Sequence, residues 1–165
     1  MARAFAWKLL VPALGLVACG SNAAAPTDAG AGDDMFLTCE TDTRAMPYQP
    51  GMQVASSASP PVFLLKLLES RPGPPVKGQN TWTVEVDELA TGAPLDELGL
   101  SVVPFMPDHM HGTLPVEVTP TGAGTYTLAP VYLYMSGVWQ VRFTITAPNV
   151  GGGTTDTAVI PVCIP

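Results

Sequence analysis

Apolar and polar residues alternate most clearly from Val138 to Thr146, where Trp139, Val141, Phe143 and Ile145 point one way and Gln140, Arg142 and Thr144 the other. That period of two predicts a strand buried on one face. The same pattern runs through Trp82-Thr83-Val84-Glu85-Val86-Asp87. Val62 to Glu69 is a nearly continuous apolar run, bounded by Pro60-Pro61 and by Arg71-Pro72-Gly73-Pro74-Pro75. Those breakers hold it to strand length. Leu98 to Phe105, Thr113 to Val118, Thr125 to Leu128, Val131 to Met135 and Thr155 to Cys163 read as further extended segments. Turns are predicted at Thr91-Gly92-Ala93-Pro94, at Pro120 to Gly124 and at Asn149 to Gly153, while Thr41 to Pro61 reads as irregular. About seven short strands with turns between them predict an all-β fold, an antiparallel immunoglobulin-like sandwich.

Composition agrees with strands rather than helices. The chain has 16 glycines and 18 prolines among 165 residues and is 47% apolar, enough to build a core. Its formal charge is −7, with seven scattered basic residues, so phosphate backbones are repelled and nucleic-acid binding is excluded from the expectations.

Charge also marks the N-terminus. Met1 to Lys8 carries Arg3 and Lys8 without an acid, and Leu9 to Ala18 is apolar but too short to span a bilayer, which takes about 20 residues. This is the anatomy of an export signal. It ends in Leu16-Val17-Ala18-Cys19-Gly20, which resembles a bacterial lipobox. The resemblance implies cleavage after residue 18 and lipidation of Cys19, hence a chain held to a membrane by acyl chains alone. Gly20 in place of an Asp favours the periplasmic face of an outer membrane in a Gram-negative cell. Removing residues 1–18 takes away two positive charges and no negative one, so −7 becomes −9. Residues 19–34 are mostly Ala, Gly and Asp, with little to bury, and read as a flexible tether; residues 35–165 form the domain. Cys39 and Cys163 are then an even pair in an oxidising compartment, and a disulfide is expected between them. Metal binding by the two thiols is the rival, without a CxxC to support it.

Candidate chemistry concentrates in Pro104-Phe105-Met106-Pro107-Asp108-His109-Met110-His111-Gly112, which holds both histidines of the chain. Thioether and imidazole together suit Cu(I), because soft sulfur and borderline nitrogen select it over hard cations. His109 and His111 are two apart, which in an extended segment puts both on one face, although Pro107 and Gly112 argue for a turn. Asp108 is placed to orient a histidine, and Met110 is a reserve ligand. Zinc would call on Asp108 as a further ligand. Methionines are also common core fillers, and loop histidines often do no more than bond the backbone. No nucleophile elbow and no phosphate loop is present, so no enzyme is expected.

An ordered set of motifs resembles the YtkA-like family, and more loosely FixH-like proteins. Gly78-x-Asn80 precedes a strand, Thr91-Gly92-Ala93-Pro94 turns, Met106-Pro107-x-His109-x-His111-Gly112 follows, then Gly124-x-Tyr126, and Met135-x-Gly137-x-Trp139-x-Val141 closes the set, within about Val62 to Ile145. The resemblance implies an extracytoplasmic β-sandwich module. It also brings Met135 beside the histidine loop, giving Met106, His109, His111 and Met135 as a ligand set for copper. FixH-like proteins are linked with copper delivery to haem–copper oxidases, so a copper-handling or oxidase-assembly protein is the implied partner. This chain has a lipobox where those proteins have a transmembrane anchor. The competing expectation is a protein-interaction sandwich that binds no metal.

Overall fold

The computed structural model describes Thr38, Cys39 and residues 41–165. The segments read as export signal and tether, with Cys19, lie outside the described residues. Among the described residues nine strands form two antiparallel sheets: β1 (Met52–Ala55), β2 (Phe63–Arg71), β3 (Gly78–Glu88), β4 (Gly99–Met106), β5 (His111–Gly112), β6 (Val118–Gly122), β7 (Thr125–Leu133), β8 (Gly137–Ala147) and β9 (Thr154–Ile164). One sheet has the order β1-β2-β3-β7-β6 and the other β5-β4-β8-β9. This is the expected all-β sandwich. Among the described residues no helix is long and apolar enough to cross a membrane.

The core lies between the sheets. Phe63, Leu65 and Leu67 of β2, Trp82, Val84 and Val86 of β3, and Leu128 of β7 face Val102 of β4, Trp139, Val141, Phe143 and Ile145 of β8, and Ile160 of β9, all essentially inaccessible to water. Removing so much apolar surface from water is the main stabilising term of the fold, at about 25 cal/mol per Å². β8 is the spine of its sheet, paired along its length with β9 from Gly137↔Ile164 to Ala147↔Thr154, and with β4 from Gly99↔Thr146 to Phe105↔Gln140.

Three local expectations differ. Thr125 to Leu128 and Val131 to Met135 are not two strands; Thr125–Leu133 is one. Pro130 is accommodated because the β3–β7 register shifts between Asn80 and Trp82, where no ladder hydrogen bond is asked of it. Thr113 to Val118 is largely irregular, and the extended pairs are His111–Gly112 before it and Val118–Gly122 at its end. Within the segment read as irregular, Met52–Ala55 pairs with β2, from Met52↔Leu67 to Ala55↔Leu64.

The segment before β1 is fastened to the far end of β9. Cys39 and Cys163 are joined by a disulfide with Cα atoms 5.2 Å apart, across 124 residues of chain. Closing so long a loop restricts the unfolded chain by about 4–5 kcal/mol in the entropy account. Met46 N donates to Pro161 O at 2.9 Å, and Ser70 N donates to Tyr48 Oη at 3.0 Å.

Candidate metal centre

β4 ends at Met106 because Pro107 cannot continue the ladder. A single 3₁₀ turn, Pro107–His109, follows, and Met110 closes it with φ 54° and ψ 32° in the left-handed region. The chain then returns as β5, so that Met106 pairs with His111 and Phe105 with Gly112. Cross-strand partners share a face, so Met106 and His111 both point toward the end of the core. Met106 is only 2% exposed and belongs to the core, whereas His111 is half-buried and His109 exposed.

The turn replaces the alternation expected for His109 and His111, yet it still brings the rings together, with centroids 5.7 Å apart and planes tilted by 52°. His111 lies parallel to Tyr134, at 3° and 5.7 Å between centroids. Tyr134 Oη is 3.4 Å from His111 Nδ1, where either atom can donate. The edge of Trp139 meets both rings, at 6.1 Å from His111 and 5.5 Å from Tyr134.

Met135 arrives from the connection between β7 and β8. Its carbonyl accepts a hydrogen bond from Trp139 Nε1 at 2.9 Å, and it packs half-buried against the core. Gly137 explains how the strands close over Met106. A Cβ built on Gly137 would stand 2.7 Å from Met106 Cε, and its φ of 118° disfavours any side chain. The buried thioether of Met106 is thus roofed by the backbone of Gly137. His109 thus lies against His111 and His111 against Trp139, Met106 packs under Gly137, and Met135 is tied to Trp139 through its carbonyl.

Two residues of the loop stand apart from the expectation. Asp108 does not orient a histidine: both of its oxygens accept from Arg44, Oδ1 from Nη1 at 2.5 Å and Oδ2 from Nη2 at 3.0 Å. The guanidinium holds the Asp108 carboxyl below the usual carboxylate range. Met110, in the left-handed position, is 80% exposed. Among the described residues no three His, Cys, Asp or Glu side chains converge as a metal site would need. Any metal held here would depend on methionine sulfur as well as the two imidazoles.

Sequence reasoning missed Tyr134 and Arg44. The strand pattern holds a signal for Tyr134, since Leu133 is buried and its neighbours Tyr132 and Tyr134 are exposed. Arg44 gives none, being 64 residues from Asp108.

Residues 67–144 match the family model described as YtkA-like. The match runs from the middle of β2 into β8, with the histidine loop, Met135, Gly137 and Trp139 inside it. No curated protein and no solved structure matches the chain.

Proposed function

We propose that this YtkA-like domain binds Cu(I) at the end of the sandwich and serves copper handling or delivery in the cell envelope. His109 and His111 supply nitrogen, and Met106 and Met135 supply sulfur. The chain is carried there by its export signal and held by lipid on Cys19, and it works as a binding protein rather than an enzyme. A copper-handling or oxidase-assembly protein is its partner.

One observation carries the reading. Two imidazoles lie 5.7 Å apart, one on the turn and one on the strand that follows it, and the strand partner of the second is a buried methionine. With the Nδ1 proton of His111 donated to the Tyr134 oxygen, Nε2 keeps its lone pair toward a metal, the usual way an outer group fixes a ligand's tautomer. Soft donors without a third carboxylate, thiolate or imidazole favour Cu(I) over zinc. With Asp108 engaged by Arg44, the oxygen ligand that zinc would call on is taken.

The test is a Cu(I) titration of the whole protein in detergent against a chromogenic chelator. One equivalent is bound tightly by the parent, and the His109→Ala/His111→Ala variant loses it while its fold persists. A double variant that still competes like the parent sinks the assignment.

A second reading rests on the surface beside the loop. Met110 and Leu114 are 80% and 83% exposed, and Tyr132 and Tyr134 are exposed beside them. Gly112, Thr113, Leu114, Tyr132 and Tyr134 line an open groove of about 460 Å³. An interaction module without metal would use that groove, and the same titration then gives no binding by the parent.

A further inference from the structure

The turn that carries His109 and leads to His111 buries none of its three residues, and Met106 at its start makes no side-chain cap. No buried side chain of its own therefore anchors it. What reaches it from outside is Arg44. Its Nη1 and Nη2 grip the two oxygens of Asp108. On its other side Nε donates to Asp42 Oδ1 at 3.0 Å and Nη2 to Asp42 Oδ2 at 2.7 Å. Asp42 also accepts the backbone N–H of Arg44 at 2.9 Å, and its side chain is 3% exposed. The planar fork of a guanidinium suits two carboxylates at once in a way an ammonium does not.

Arg44 is thus fixed from behind before it reaches the loop. Its segment is fastened on one side by the Cys39–Cys163 disulfide and on the other by the hydrogen bond from Met46 N to Pro161 O. A path of covalent and hydrogen bonds runs from β9 through this segment to Asp108, the residue before His109. Ion pairs as exposed as Arg44–Asp108, at 48% and 43%, contribute little to stability. The pair's effect is therefore geometric. Two carboxylates more than offset one guanidinium, so the group adds no net positive charge beside a bound cation.

We propose that Arg44 is a positioning residue for the histidine loop, acting through Asp108 to hold His109 and His111 in the geometry that receives the metal. The ligand rests on the copper reading above; the clamp does not. The test is a double-mutant cycle on the full protein with Arg44→Ala, Asp108→Asn and the pair together. Two readouts are taken: the histidine side-chain NMR signals and amide exchange of residues 109–112 without metal, and Cu(I) affinity by chelator competition. Asp108→Asn leaves Arg44 on Asp42, so it cuts the link without stranding a buried carboxylate.

Each single variant is expected to shift the histidine signals, speed exchange in the loop and weaken Cu(I) by about tenfold, the size seen when a ligand's outer partner is lost. The pair should add nothing further. Histidine signals unchanged in both singles, or effects that simply add in the pair, overturn the proposal. If no variant binds Cu(I), the parent included, the metal-free signals decide: their movement upholds the clamp while the copper reading falls, and their stillness removes both.

Discussion

The two ends of β4 spend their polar groups differently. At the Gly99 end, the connection from β3 is bound inward. Asp96 Oδ1 accepts from Gly124 N at 2.9 Å, Tyr126 Oη donates to Leu95 O at 2.8 Å, and Leu98 N donates back to Tyr126 Oη at 3.4 Å. Leu95 N donates to Val86 O and Glu88 N to Ala93 O, each at 2.8 Å. At the Met106 end, the His111 ring has a long hydrogen bond with Tyr134, Met110 faces water, and the charged residue of the turn is held by a group from another segment. Polar groups that satisfy one another make a stable connection with little left to bind a ligand. Donors left near a buried thioether, on a turn steadied from outside, suit a ligand site. Substitutions of the same chemical kind should therefore act on stability at one end and on binding at the other.

The largest contrast is between two glycines. A Cβ on Gly124 would stand 2.7 Å from the Pro94 side chain and 3.0 Å from Leu95 N, at φ +70°. Proline and backbone cannot yield, so Gly124→Ala is expected to cost about 2–4 kcal/mol in urea unfolding, from left-handed strain plus overpacking. Copper affinity of the folded fraction should be unchanged. At Gly137 the obstructing atom is the mobile end of Met106. Gly137→Ala is expected to cost less, about 1–3 kcal/mol from backbone strain, and to weaken Cu(I) by pushing the thioether aside. A Gly137→Ala protein that binds Cu(I) like the parent would remove Met106 from the ligand set.

Two tyrosines repeat the contrast at smaller scale. Tyr126 is 1% exposed, and burial pushes its hydroxyl pKa up. Tyr126→Phe strands the Leu95 carbonyl and Leu98 N–H, for a loss of about 1–3 kcal/mol. Tyr134 is 45% exposed, so Tyr134→Phe should change the unfolding midpoint little. Its effect should be on copper, through the lost partner of His111 Nδ1. Equal stability losses from the two variants would erase the difference between the ends.

How far the sequence foretells this arrangement follows from how local each cause is. The alternation of β8 is local, and Trp139, Val141, Phe143 and Ile145 are all buried as it implies. The closeness of Met106, His109 and His111 is local too, because one short turn returns the chain from Met106 to His111. What stays hidden is non-local. β1 has too short a pattern to announce itself and exists because β2 offers an edge. Pro130 reads as a break, since its tolerance depends on a register shift against Asn80 and Trp82. Asp108 reads as a partner for histidine because sequence proximity favours that, while its true partner comes from 64 residues away.

The smallest expected effects are in acid, and each end has a carboxylate that responds. Asp156 packs near the Gly99 end of the sheet, paired with Ile145. Burial would raise its pKa, but hydrogen bonds from Ser56, Thr157, Ala58 and Ser57 outweigh that and lower it. Asp42, at the other end, is lowered chiefly by the Arg44 side chain and then by its backbone N–H. A carboxyl lowered on folding adds stability that is full above its unfolded value of about 3.9 and is lost as pH falls through the folded value. Asp156→Asn and Asp42→Asn should each lower stability at neutral pH and flatten its decline toward about pH 3 in urea unfolding. The two variants part on binding. Asp42→Asn loosens the carboxylate that holds Arg44 and should weaken Cu(I) at neutral pH, whereas Asp156→Asn should leave affinity alone. If Asp156→Asn weakens copper as much, the segment bearing Arg44 is not a separate support for the loop, and the two ends answer to the stability of the sandwich as a whole.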